Sequence, residues 1–267
     1  MNFNLMHKLA QKLYISRLAR RYFKFRALLQ PLLNNSFVKS AYGPWLYHFG
    51  NDKTLYHSIA GNYGTLISDH IKKLQPGDAF IDVGANVGLY SILAAKQVGQ
   101  QGRVVAFEPQ PKIFETLKNN LAYNRAGWVE SFPFALSDQS TTMTMHLTEG
   151  HSGSAFLKEH VAENHPDAVK VLAPQELPCF QQDWNKHARI IMKIDTEGNE
   201  LNILFGFGGF IDAQKNLATI IVEIYPEHLK KFQCSKEDIY DYLSTKGFRP
   251  IITEIKRPHW YDQVFVR

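Results

Sequence analysis

The sequence predicts an α/β protein: a doubly wound, mainly parallel sheet that ends in an antiparallel hairpin, preceded by an N-terminal helical extension. Three observations lead there. From residue 79 onward, short apolar runs alternate with stretches of helical period, the pattern of parallel βαβ units. The last two strand-like runs lie only a few residues apart, too close for a crossover, so they pair antiparallel. Ahead of the alternation, residues 3–30 contain no Gly or Pro until Pro31 stops the pattern.

Within 3–30, Leu5, Leu9, Leu13, Ile15, Leu18 and Tyr22 fall at helical spacing, while Arg17, Arg20, Arg21 and Lys24 share another face. A basic amphipathic helix in an extension over 1–60 suits peripheral contact with an anionic membrane. Docking on its own domain or a partner is the other reading. An aromatic-rich stretch follows (Tyr42, Trp45, Tyr47, Phe49), then a helix over 63–75 ended by Pro76-Gly77. The domain proper spans 61–267. Strands are expected at 79–83, 103–109, 129–136, 188–195 and 218–224, with helices at 88–98, 111–124, near 199–205 and at 236–246. The runs 248–255 and 262–267 form the hairpin. Residues 141–148 alternate cleanly and read as an edge strand. Between 149 and 175 the pattern lapses into a polar insertion, read as a lid over an acceptor site.

Composition excludes several classes. The chain has 267 residues, 45% of them hydrophobic, which suits one packed domain with an appendage. Cys179 and Cys234 lack metal-ligand spacing and fit a reduced, cytoplasmic protein. No apolar run approaches the roughly 18 residues of a membrane span. The start lacks the uninterrupted apolar core of a secretory signal. Of 30 basic residues eight fall in the first fifty, which hold no acid, so the body carries 22 basic against 25 acidic residues. A mildly acidic body disfavours a nucleic-acid phosphate track.

Ligands on open α/β sheets bind at the carboxyl ends of strands, where the strand order reverses. In "FIDVGANVGLY" (80–90), Gly84 and Gly88 allow a tight turn, and the next helix aims its free N–H groups at an anion. A dinucleotide turn would need glycine at 86 and 89, where Asn86 and Leu89 stand, which counts against an NAD-linked oxidoreductase. Glu108-Pro109 ends the second strand, 26 residues after Asp82, placed to accept from both hydroxyls of a ribose. An amino-acid end at the first loop and a ribose at the second spell S-adenosylmethionine (SAM), with adenine beside Ala135, Leu136, Ser137 and Asp138. The expected cofactor-binding residues are Asp82, Gly84, Asn86, Gly88, Glu108, Pro109, Ala135, Leu136 and Ser137.

These blocks, with "FPFALSD", "IIMKIDTEGNELNILFGF" and "IIVEIYPE", resemble the FkbM-type SAM-dependent methyltransferases from about Gly61 to the end. The run Lys193-Ile-Asp195-Thr-Glu197-Gly198-x-Glu200 is the most specific part. The resemblance implies a Rossmann-like class I methyltransferase fold, with a seven-stranded, mainly parallel sheet. It also implies O-methylation, here of a small-molecule, glycan or glycolipid-precursor acceptor. One departure is Gln181-Gln182-Asp183, where members commonly carry Thr-Leu-Asp.

Methyl transfer to oxygen needs an acceptor held in line and a proton removed. Asp195 and Glu197, after the fourth strand, are the expected catalytic pair, as base or acceptor ligands. Two weaker readings stand beside this one. Glu197 and Glu200 would cap the next helix, or Asp195 and Glu223 would hold a hard divalent cation; no metal is expected. Glu223, with His151 and Ser154 of the lid, is expected to touch acceptor, and Lys193 to make a structural ion pair. His146, His151, His160 and His165 match no zinc spacing. Pro178-Cys179 lies ahead of the fourth strand, not after it, so a buried strand cysteine is expected rather than a cytosine-methylase nucleophile. A SAM-binding module without activity remains the alternative function.

Overall fold

The computed structural model describes residues 3–14, 16, 29–63, 65–251 and 259–267. The expected basic face of Arg17, Arg20, Arg21 and Lys24 lies outside these residues, as does the second half, 252–255, of the expected strand 248–255. Among the described residues no helix is long and apolar enough to cross a membrane.

The chain opens with α1 (Phe3–Tyr14), the hairpin β1 (Ser36–Lys39) and β2 (Trp45–His48), and α2 (Lys53–Ala60). Helix α3 (Leu66–Ile71) is shorter than the expected 63–75. The expected alternation follows: β3 (Ala79–Val83), α4 (Leu89–Val98), β4 (Arg103–Phe107), α5 (Pro111–Tyr123) and β5 (Glu130–Phe132). After an intervening segment come β10 (Ile190–Ile194), α6 (Glu200–Gly206), α7 (Gly208–Ala213), β11 (Leu217–Ile224), α8 (Pro226–Leu229), α9 (Lys236–Thr245), β12 (Arg249–Pro250) and β13 (Tyr261–Val266).

The described residues form a seven-stranded sheet in the order β12-β13-β11-β10-β3-β4-β5. Strands β3, β4, β5, β10 and β11 run parallel, and β13 pairs antiparallel with both β11 and β12. This is the expected Rossmann-like fold. The parallel strands β3, β4 and β10 are buried at every position, because helices cover both faces. Phe80, Val104, Ala106 and Ile191 face one apolar core with α2–α5; Ala79, Ile81, Val83 and Met192 face a second with α6, α7 and α9. Each fully buried Ile or Leu there contributes about 1.5–3 kcal/mol.

Five readings change. The run 129–136 is not one strand: β5 stops at Phe132, and past Pro133 the chain leaves the sheet and resumes as β6 (Ala135–Leu136). Proline has no N–H for the ladder, so it suits that exit. The segment 141–148 is not an edge of the main sheet. As β7 (Thr141–His146) it lies inside a second sheet, β6-β9-β7-β8, with β8 (Phe156–His160) and β9 (Ala168–Leu172). The supposed polar insertion thus carries two strands, around buried Leu157, Val169 and Val171. Cys179 is buried as expected, but in a turn, not a strand. Nor is the segment 1–60 an appendage: Ala10, Tyr14, Leu33, Val38, Leu46, Leu55 and Ile59 share one core with Phe80 and Val104.

Candidate functional site

A cavity of about 550 Å³ opens at the carboxyl ends of β3, β4, β10 and β11. Strand order reverses beside β3, since the chain proceeds to β4 and β5 on one side and returns to β10 on the other. Topology alone therefore gathers these four loops around one crevice.

The turn after β3 is built on three left-handed residues, Gly84 (φ +79), Asn86 (φ +49) and Gly88 (φ +86). The N–H groups of Gly84 and Ala85 donate to the Phe107 carbonyl at 3.0 and 2.9 Å. Asparagine enters the left-handed region more readily than most side chains. Its Oδ1 accepts from Val87 N at 2.9 Å, while Asn120 Nδ2 donates to the Val87 carbonyl at 2.8 Å. At Gly88 a Cβ would stand 2.4 Å from Leu117 Cδ1, the movable end of a side chain.

Glu108 is buried on the cavity wall, 3% exposed. Each of its oxygens takes one backbone N–H at 2.9 Å, Oε1 from Gln110 and Oε2 from Asn86. Burial nevertheless pushes its pKa up to about 7, against those two bonds and the Lys193 charge. Pro109, Phe134, Ala135 and Leu136 continue the wall.

Three residues expected at the cofactor do not line the cavity. Asp82 lies beneath the turn, fully buried, with Ser91 Oγ donating to its Oδ2 at 2.5 Å. Gly88 starts α4, and Ser137 is turned to its neighbour, its Oγ donating to Asp138 Oδ1 at 3.1 Å. Their place in the fold is to shape the wall from behind.

At the end of β10, Lys193 sits opposite Asp82 in the parallel register. Its Nζ lies 3.2 Å from Asp195 Oδ2 and 3.4 Å from Asp82 Oδ1, and donates to the Gly84 carbonyl at 2.7 Å. Burial works against its charge, but Asp195 and Asp82 outweigh burial and raise its pKa. Lysine here is the structural ion pair expected of it.

The two glutamates of Thr196-Glu197-Gly198-Asn199-Glu200 divide the work that sequence could not assign. Glu200, not Glu197, organises the loop: its Oε1 accepts from Thr196 N, Thr196 Oγ1 and Gly198 N at 2.9, 3.0 and 3.1 Å. Glu197 takes a left-handed backbone (φ +62) that turns its side chain to the cavity, where Oε2 lies 2.5 Å from His228 Nδ1. A non-glycine residue held there costs about 1 kcal/mol or more, a strain that clusters at functional sites. Burial raises the Glu197 pKa and His228 opposes the rise.

Asp195, Glu197 and Glu223 bring one carboxylate oxygen each to within 4.8 Å of the others. Glu223 is buried, and the Trp260 indole N–H donates to its Oε1. Burial, then the charges of Asp195 and Glu197, push its pKa well above the carboxylate range. Asp262, opposite Glu223 in the β11–β13 register, is pushed up to about 7 by burial and by Asp195.

His151 and Ser154 line the cavity, with Ser154 Oγ 2.7 Å from His151 Nδ1. Between them Ser152 straps three walls together. Its N–H and Oγ donate to Asp52 at 2.7 and 3.1 Å, its carbonyl accepts from Gln110 Nε2 at 2.8 Å, and Asn86 Nδ2 donates to its Oγ at 3.4 Å. Asp52 also caps α2, accepting from Leu55 N at 2.8 Å. Asp52→Ala is therefore expected to cost about 2 kcal/mol, a lost cap plus buried bonds. It should also speed amide exchange at Ser152 and Gly153 at least tenfold. Unchanged exchange there would show that Asp52 does not hold the strap.

Sequence reasoning missed His57, Tyr63, Tyr90, Tyr225, His228, Trp260 and Asp262, all on the wall, and Asp52, which holds Ser152 from behind it. Only Tyr225 and His228 carried a signal, directly after a strand that ends in Glu223.

Three comparisons bear on the chain. A family model described as the methyltransferase FkbM domain matches residues 82–250. Methyltransferase sdnD of Sordaria araneosa is 28% identical over 174 residues, 54% of this chain and 67% of that protein. The 31-O-demethyl-FK506 methyltransferase FkbM of Streptomyces tacrolimicus is 35% identical over 106 residues, 36% of this chain and 39% of that protein. The chain thus spans two thirds of the first relative and well under half of the second. Among solved structures, a SAM-dependent O-methyltransferase from Thermotoga maritima aligns with TM-score 0.43 and 10% identity over 88% of this chain and 78% of its own.

Proposed function

The chain belongs to the FkbM methyltransferase family, and from that premise we propose that it transfers the methyl group of SAM to a hydroxyl of a small-molecule, glycan or glycolipid-precursor acceptor. One observation carries the reading. A single cavity has Glu108, with room on each oxygen for a further donor, on one wall, and Asp195 and Glu197 on another.

SAM supplies an electrophilic methyl on a sulfonium: the C–O bond forms as the C–S bond breaks, the electron pair stays on sulfur, and the hydroxyl proton must leave. Glu108 would hold the ribose hydroxyls. The Gly84–Gly88 turn and the start of α4 would receive the amino-acid end, the N–H groups there favouring its carboxylate. Phe134, Ala135 and Leu136 offer adenine an apolar face. Asp195 would take the acceptor's proton or hold its oxygen, with Lys193 fixing the carboxylate's orientation. Glu197 would stand beside it, fixed by His228. Tyr63, Tyr90, Tyr225 and Trp260 leave the acceptor side aromatic, a surface that suits a sugar ring or a flat metabolite. Support for oxygen as the acceptor comes from the name of the Streptomyces relative, which methylates a 31-O-demethyl compound.

Calorimetry tests the donor. SAM and its demethylated product should bind, with NAD at least a hundredfold weaker; preferential NAD binding would end this reading. Methyl transfer to a library of polyols and sugars, read as a mass gain of one methylene, tests the acceptor class.

A further inference from the structure

We propose that Asp195, Glu197 and Glu223 form a site for one hard divalent cation on the cavity wall. The inference adds a bound ion to the methyl-transfer reading and does not depend on which acceptor is used. The three carboxylates come from two neighbouring strand ends, and one oxygen of each lies within 4.8 Å of one from each of the others. On a cation bound at the 2.3–2.6 Å typical of calcium, no two oxygens lie more than about 4.6–5.2 Å apart, a range the 4.8 Å bound on this group meets. Magnesium, at 2.0–2.1 Å, holds oxygens no more than about 4.2 Å apart, so it asks for a tighter group than calcium does.

Proximity of acids alone does not make a site; the state of their oxygens does. Glu223 is 4% exposed and lines the cavity, and its Oε2 is buried with no hydrogen-bond partner. A buried acceptor left so is costly unless a proton or a cation meets it. The other two carboxylates are half used in the same way. Lys193 stands at Asp195 Oδ2, and His228 at Glu197 Oε2. No hydrogen bond from the described residues reaches Asp195 Oδ1 or Glu197 Oε1. Each acid is thus met by one protein group, lysine, histidine or tryptophan, and keeps its second oxygen. Outer partners of this kind fix metal-binding carboxylates. Lys193 is committed to Asp82 and the Gly84 carbonyl as well, so it does not neutralise the group alone. A cation there would hold and acidify an acceptor hydroxyl.

The test is direct binding of Mn2+ to the full, donor-free chain, followed by the loss of free-ion electron paramagnetic resonance signal. Calorimetric titrations with Mg2+ and Ca2+ run alongside. About one Mn2+ per chain is expected, with affinity reduced at least tenfold in Glu223→Gln and in Asp195→Asn, both checked for folding by circular dichroism. Absence of Mn2+ binding at millimolar ion, or binding unchanged in both folded variants, would overturn the site. A chain that binds SAM but no Mn2+ defeats this proposal and leaves the methyl-transfer reading standing. One that binds Mn2+ but no SAM does the reverse.

Discussion

Gly84→Ala is expected to be the most damaging single-methyl change in the protein, costing more than about 4 kcal/mol, the range reserved for a few named mechanisms. Two penalties combine. The residue sits at φ +79, where a Cβ costs about 1 kcal/mol or more. That Cβ would also stand 1.8 Å from the Asp195 carbonyl oxygen and 2.9 Å from its carbon, both backbone atoms. Neither strand end can yield. Gly84 and Ala85 are tied to Phe107, the Gly84 carbonyl accepts from Lys193, and Asp195 N donates to the Val83 carbonyl at 3.1 Å. Gly88→Ala is the control, with similar φ but a clash only against the end of the Leu117 side chain. Overpacking of that kind costs about 1–3 kcal/mol. Denaturant midpoints of both variants decide the matter: if Gly84→Ala costs no more than Gly88→Ala, close backbone approach is not what demands glycine at 84. The approach also sets Asp195 directly against the Gly84–Gly88 turn.

The sheet was legible because its central strands are buried on both faces. Such strands read as short apolar runs, and "AFIDV" (79–83) is β3 to the residue. The second sheet was not. Its strands β8 and β9, "FLKEH" and "AVKVL", bury only some positions and so look like polar loop. Motif reading also ended where chemistry is shared among distant segments. Glu108 and Asp195 follow strands and announce themselves. Tyr63, Trp260 and Asp262 reach the cavity through packing of distant segments against the strand ends, which no local pattern encodes. In "TEGNE" the two acids have equal standing as letters. Only the left-handed turn at Glu197 sends one to the cavity and leaves the other to bind the loop.

Glu108→Gln should weaken SAM binding about 100-fold at pH 8, the worth of roughly 3 kcal/mol of charge-assisted bonding to the ribose. Its pH dependence makes the test sharper than the magnitude. The Glu108 pKa rises from 4.5 to about 7, so the folded, ligand-free protein holds this proton more tightly than the unfolded chain does. The stability it contributes is present below about pH 4.5 and is lost as pH climbs through 7, by up to about 3 kcal/mol. In the proposed donor site ribose hydroxyls would donate to the ionised form, so donor binding would oppose burial and release the proton. SAM affinity should therefore rise about tenfold per pH unit below 7 and level off above it. Glutamine carries no proton to release, and one of its two ends faces a backbone N–H that expects an acceptor. The variant should bind SAM with affinity nearly flat from pH 5 to 8, and its melting temperature should fall less over that range than the wild type's. Glu200 and Asp262, both also raised to about 7, lower wild-type and variant stability alike and cancel in the comparison. A variant that keeps SAM affinity within threefold at pH 8 would remove Glu108 from the donor site. A variant that loses affinity yet keeps the wild-type pH slope would leave Glu108 at the site but assign the titration to another group, because only the acid that releases the proton on binding can carry that slope away with it.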